Sequence, residues 1–302
     1  MSDLVRMAVR LPGLPRVPRV FLPAWLVRAR VPLIAAGVVL ALLLVAALGA
    51  PLLAPFDPNA QKLLARLRPP VGFERGDARY WLGTDQLGRD LLSRCLFGLR
   101  LSLALALFGT VLGLIIGVAV GMAAGLGRGV ADAVLMAIAD VKLALPFTLV
   151  ALLVIAIAGS GVSVLVCVLG LAYWAQFARL VRGQLLSLRE MPFVEAARAI
   201  GASPVRVALR HMLPNLVGPL AVMATLTFSN LILLESALSF IGIGVQPPTA
   251  TLGSMVGQGR DYLASAPWVV AAPAVLIMLV SLCVMLLGDA LRDRMDARLR
   301  TR

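Results

Sequence analysis

Histidine is almost missing from this 302-residue chain: His211 stands alone, which excludes a multi-histidine metal centre. Cysteine is scarce as well. Cys95, Cys167 and Cys283 are far apart and make neither a disulfide framework nor a thiolate cluster. Charged residues are only 14% of the chain, against about 25% in soluble globular proteins. Hydrophobic residues make up 60%. A soluble fold of this length has too little interior for that much apolar surface, so lipid is the solvent for much of it. An ordinary cytosolic enzyme, a disordered chain and a disulfide-stapled secreted domain are excluded.

Catalytic signatures are missing too. There is no GxxxxGK[ST] loop to cradle phosphate, no HExxH, and no serine that pairs with a histidine and an acid. A transport process that used ATP would need another chain to bind it. Lys and Arg number 28 against 15 Asp and Glu, a net charge of +13. On a soluble chain that balance points to nucleic acid. Here the basic residues lie between apolar runs, where they report membrane topology instead, and no nucleic-acid partner is expected.

Spanning helices need about 20 apolar residues. Six candidates are legible, and they predict an all-α, polytopic membrane protein. The first covers residues 31–53 and reads as an uncleaved anchor after a tail at 1–30, because that tail is long for a signal peptide. An external loop and lead-in follow at 54–100. The core, residues 101–288, holds five spans: Leu101 to Leu126, Ala133 to Ala158, Val162 to about Arg179, one within Leu213 to Val245, and Pro267 to Leu287. A tail at 289–302 ends the chain. Six spans put both termini on one side. The arginines of the first tail, of the segment from Gly183 to His211 and of the last tail mark that side as cytoplasmic. The external loop disagrees, since it carries Lys62 and seven arginines.

Gly109, Gly113, Gly117, Gly121 and Gly125 recur every four residues and form a stripe on the second span. A stripe without side chains lets another helix come close. It serves static packing or a contact that slides. Ionisable groups at membrane depth are costly and face a cavity or a partner. Glu235, with Asn230 nearby, lines a polar path or holds a helix bend through a hydrogen bond. Asp140 and Lys142 do not face each other on a helix and are expected at the membrane interface, with Lys142 reaching for the cytoplasmic surface.

The loop at 183–213 reads as two short helices and a hinge. Phe193 to Ile200 is rich in helix formers, and Gly201 suits the left-handed residue that ends a helix. Ser203 is a good N-cap and Pro204 a good first helical residue. The second helix, Pro204 to about Leu213, carries Val205, Ala208, Leu209 and Met212 on one apolar face. Such a pair is suited to docking into a groove of a partner protein.

Glu195-Ala196-Ala197, three residues, Gly201, nine residues and then His211-Met212-Leu213-Pro214 resemble the signature loop of importer-type ATP-binding-cassette permeases. Leu82-Gly83-Thr84-Asp85 with Gly88-Arg89-Asp90, the run from Leu234 to Thr249, and Gly288-Asp289 with Leu291-Arg292-Asp293 are similar to motifs of its dipeptide, oligopeptide and nickel branch. The extended first loop resembles the C-type subunit. Leu252 departs from the tryptophan frequent there. The resemblance implies a coupling helix that inserts into an ATPase subunit, carried by Glu195, Ala196, Ala197, Arg198, Gly201, Ser203 and Pro204. It further implies a heterodimer with a second permease chain, two ATPase subunits that hold ATP and magnesium, and an external substrate-binding protein. The chain itself then binds no cofactor and sits in the bacterial inner membrane. The cargo so implied is a di- or oligopeptide, with nickel, glutathione or opines as alternatives. A secondary transporter or channel that needs no ATPase is the rival class, and it leaves the 183–213 loop unexplained.

Overall fold

The computed structural model describes residues 30–127 and 129–300; the tail before Arg30, with its arginines, lies outside the described residues. Helices dominate the described residues, and an isolated bridge between Thr84 and Asp90 is the only β pairing among them. In chain order the helices are α1 Arg30–Leu48, α2 Leu91–Leu126, α3 Val130–Ala144, α4 Phe147–Ala158, α5 Val162–Leu188, α6 Pro192–Ala199, α7 Pro204–Val207, α8 Leu213–Phe240, α9 Leu252–Gly259 and α10 Trp268–Arg300. Five helical stretches are long and apolar enough to cross a membrane, or six if α3 and α4 count together as one span.

Several boundaries differ from the sequence reading, each for a local reason. The second span begins at Leu91, not Leu101, because Asp90 caps it: its Oδ2 accepts from Ser93 N at 2.8 Å. The lead-in to residue 100 is therefore helix. The third span is broken. α3 and α4 meet at Leu145-Pro146 with a bend of 93°, since proline disfavours helical backbone at the residue before it and removes a donor. α5 runs on to Leu188, so the loop expected at 183–213 is shorter than that range. α10 continues as helix through the expected tail, to Arg300.

The bundle is organised about α2 and α5, its most extensive helix pair. All five stripe glycines face α5. A β-carbon on Gly109 would lie 2.8 Å from Leu169 Cβ, one on Gly121 2.6 Å from the Ala178 carbonyl oxygen, and one on Gly125 2.7 Å from Leu185 Cδ1. Gly113 meets Gly170, and Gly117 sits against Phe177 and Trp174. Backbone contact of this kind gains dispersion that larger residues would block. α8 packs on α2 and α10, and α1 lies along α10.

α3 is tied to α5 by charge. Arg182 grips both carboxylate oxygens of Asp132 at 2.6 and 2.7 Å, and Arg179 pairs with Asp140. Lys142 donates to the Ala172 carbonyl on α5 rather than reaching outwards, with its ammonium 5.7 Å from the Phe147 ring centroid.

Candidate functional site

The chain between α5 and α8 folds down onto the bundle. α6 ends at a left-handed glycine: Gly201 has φ +84, and Ala202 N donates to the Ala197 carbonyl at 3.1 Å, closing the turn. Ser203 caps α7 by accepting from Arg206 N at 3.4 Å, and Pro204 is its first residue. No break separates α7 from the membrane. A π-helical turn, Ala208–Met212, carries it straight into α8, so the second short helix is the foot of a long one.

That π turn redistributes the apolar face. Ala208 and Met212 are buried, together with Val207, while Val205 and Leu209 are exposed. The four residues assigned by periodicity to one face are thus split, because an added residue in the turn rotates the register. On α6, Val194 and Ala197 are buried while Glu195 and Ala196 are exposed. Arg198 belongs to this helix; its side chain lies outside the described residues.

The buried residues form one cluster with Met122 of α2, Phe177, Val181 and Leu185 of α5, and Leu216 and Leu220 of α8. Burying a Val or Met side chain contributes about 1.5–3 kcal/mol, so several such residues clamp the segment firmly. Arg189 adds a polar tie, donating to the Leu126 carbonyl at the end of α2 at 2.9 Å. Ile200 is 86% exposed, and Phe193, Val205, Leu209 and Glu195 are exposed as well. The segment is fastened to three membrane helices from within and leaves several apolar side chains exposed without.

Glu235 lies in another place and in another state. It is fully buried, with Oε1 accepting from Ser239 Oγ at 2.7 Å and Oε2 from Ser102 Oγ on α2 at 3.3 Å. Ser102 Oγ accepts in turn from Leu252 N at 3.1 Å, and Ser239 Oγ from Thr251 Oγ1 at 3.3 Å. Thr251 caps α9 in a reciprocal capping box with Ser254. One carboxyl therefore ties α2, α8 and the start of α9. Leu252 fills the core beside this knot. Glu235→Leu should lower stability by about 1–3 kcal/mol for each hydroxyl left without its partner, whereas Glu235→Gln keeps an acceptor and should retain uptake. Thermal denaturation in detergent, read beside uptake, checks both. Asn230 is exposed on α8, in a stripe with Leu233, Ala237 and Phe240. Asp140 is on α3, exposed and paired with Arg179, away from both.

Residues 117–297 match the family described as binding-protein-dependent transport system inner membrane component. The chain belongs to that family. Residues 27–70 match the N-terminal transmembrane domain of oligopeptide transport permease C, which places this permease among C-type subunits of ATP-binding-cassette importers. It is 42% identical over 265 residues, 87% of its length and 88% of the other's, to a di/tripeptide transport system permease protein, DppC, of Pseudomonas aeruginosa. It is 38% identical over 268 residues, 89% and 87% of the two chains, to a glutathione transport system permease protein, GsiD, of Pectobacterium atrosepticum. Among solved structures, a chain of the inward-facing MetNI methionine ABC transporter matches with TM-score 0.52 and 25% identity, over 66% of the permease and 95% of that chain.

The permease carries one built site that sequence reasoning quoted without giving it a role. In Leu82-Gly83-Thr84-Asp85, the Asp85 carboxylate accepts from Leu87 N and Arg89 N, both at 2.9 Å, and from Arg89 Nε at 2.6 Å; Arg94 Nε lies 3.4 Å away. All three charged side chains are buried. Gly83 and Gly88 have positive φ and lie against the carbonyls of Arg68 and Lys62, where a side chain would collide. The Thr84 hydroxyl donates to the Ala65 carbonyl, and Trp268 Nε1 donates to the Thr84 carbonyl at 3.4 Å. These contacts fold the loop before α2 over the start of that helix. Farther out, Arg79 donates to both oxygens of Asp77 and holds that carboxyl down at about 2. Acids and arginines alternate along this loop, and that alternation is the sequence signal for an ion cluster.

Proposed function

We propose that this permease is one transmembrane half of an ATP-driven importer of di- or oligopeptides, set in the bacterial inner membrane with both termini cytoplasmic. A second permease chain completes the pathway, two ATPase subunits hold ATP and magnesium, and an external binding protein delivers the peptide. The observation that carries this reading is the clamped loop: Glu195, Ala196, Gly201, Ser203 and Pro204 lie on a segment whose inner side is locked into α2, α5 and α8. An ATPase that grips the patch of Phe193, Ile200, Val205 and Leu209 would move three helix ends as one body. Ala197 is buried, and its part is to hold the segment to the bundle. Arg198 is proposed as a further contact from the motif alone.

The cycle then follows from linkage. ATP shifts the conformational equilibrium only through its differential affinity for the states, and so does the delivered peptide. Both must favour the outward-open state. The cargo reading draws on relatives named for di/tripeptide and for glutathione transport, which share a short peptide as substrate. Glutathione is therefore the second reading.

Purification of the assembled complex in mild detergent should retain a nucleotide-binding chain. Proteoliposomes of the complex, given its binding protein, should accumulate labelled tripeptide only with ATP inside. Accumulation driven by an ion gradient without ATP would assign the chain to secondary transport instead.

A further inference from the structure

A cleft of about 340 Å³ opens at the end of α8 opposite the coupling segment. Ser239, Phe240, Gln246, Gln258, Arg260 and Asp261 are among its lining residues. That volume is in the range of small-molecule sites. Its floor is rigid. Ser239 and Ser254 belong to the hydrogen-bonded knot around Glu235 and Thr251. Gly257 of α9 lies so close to α8 that a β-carbon there would be 2.9 Å from the Phe240 carbonyl oxygen.

The charge in this cleft is weakly held. Arg260 Nε meets Asp261 Oδ1 at 3.5 Å, with side chains 58% and 78% exposed. An exposed pair at that separation contributes little, so another carboxylate can displace Asp261 at small cost. The Arg260 guanidinium stands 5.8 Å from the Phe240 ring centroid, which holds it in place. A guanidinium presents a planar fork that matches a carboxylate.

The cleft is also connected to the span. Asn230, Leu233, Ala237, Phe240 and Ile241 are exposed along one side of α8, and this stripe ends in the cleft. Asn230 lies ten residues before Phe240, about 15 Å along the helix. An exposed amide at that depth is costly against lipid, so the stripe faces protein or a polar path.

We propose that this cleft is a carboxylate subsite of the permease: Arg260 takes the free C-terminal carboxylate of an incoming short peptide, against Phe240, before the chain passes along the stripe. The inference rests on the peptide-importer reading and adds to it the end of the peptide that is recognised and the residue that recognises it. Arg260 is exposed, so its replacement leaves the fold intact.

The test is uptake of trialanine and of its C-terminal amide by the complete transporter, with wild-type permease, Arg260→Gln and Arg260→Lys at equal membrane abundance. The external binding protein is the same throughout, so a change in the ratio of the two peptides belongs to the permease. Arg260→Gln should cut uptake of the free acid about tenfold, the loss of a charge-assisted hydrogen bond, and leave the amide within about twofold. Arg260→Lys should restore part of the free-acid uptake. Equal loss of both peptides would overturn the subsite and make Arg260 a docking contact for the external protein; no change in either would also overturn it. A wild-type complex that accumulates neither peptide with ATP would refute the importer reading, and the subsite with it.

Discussion

Replacing Gly201 by valine should leave the permease in the membrane and reduce ATP-driven uptake about 5–150-fold, the range of a lost coupling of 1–3 kcal/mol. The argument is conformational. A β-carbon at Gly201 would meet nothing within 4 Å, so steric room is available. The backbone is the obstacle: φ is +84, where a non-glycine residue costs about 1–3 kcal/mol and a β-branched one is a true outlier. The turn from α6 into Ser203 must then open, and the exposed patch of Ile200, Val205 and Leu209 loses its shape. Val194, Ala197, Val207 and Met212 remain packed below, so folding survives. ATP hydrolysis by the assembled complex, measured beside uptake, should become uncoupled from transport. Normal uptake with normal coupling would refute the coupling role proposed for Gly201.

Asp85→Ala should have the largest effect on stability, about 3–5 kcal/mol. One carboxylate faces two guanidiniums, Arg89 and Arg94, and all three are 2% exposed. Removal of the acid leaves two buried cations with no counter-charge and orphans the backbone donors of Leu87 and Arg89. A loss of that size should lower membrane abundance severalfold or more and bring forward thermal denaturation in detergent. Uptake per surviving molecule, measured at low temperature, should stay near wild type, because the knot sits at the Leu91 end of α2 whereas the α6–α7 segment packs near Met122 at its other end. If abundance is unchanged but uptake per molecule falls, Asp85 acts in transport and not in folding.

Much of this molecule could be read from one-dimensional pattern. Apolar runs predict six spans; five are found as long helices, and the third is divided into α3 and α4. Pro146 was visible within the third run, yet hydropathy sums over a window and cannot register a 93° bend at one residue. Helix periodicity failed at Ala208–Met212 for a related reason: it assumes 3.6 residues per turn, and the π turn there breaks that period. The single apolar face expected of Val205, Ala208, Leu209 and Met212 is consequently divided, with Ala208 and Met212 buried and Val205 and Leu209 exposed. Asp85, Arg89 and Arg94 were legible as charges but not as a cluster, because a buried ion group is a contact made in space.

What the chain determined without its fold is the solvent it lives in, where its apolar helices fall, the four-residue glycine stripe and the left-handed stop at Gly201. Each depends on neighbours in sequence, through hydropathy, helix spacing or the φ that one residue type tolerates. Tertiary structure alone decided that Glu235 is a tie between three helices, that the loop before α2 closes on a buried ion triad, and that a cleft with Arg260 sits at the end of α8. Those outcomes join residues far apart in the chain, Ser102 to Glu235 and Gly83 to Arg68 among them, and packing in three dimensions is what brings such groups within hydrogen-bonding reach.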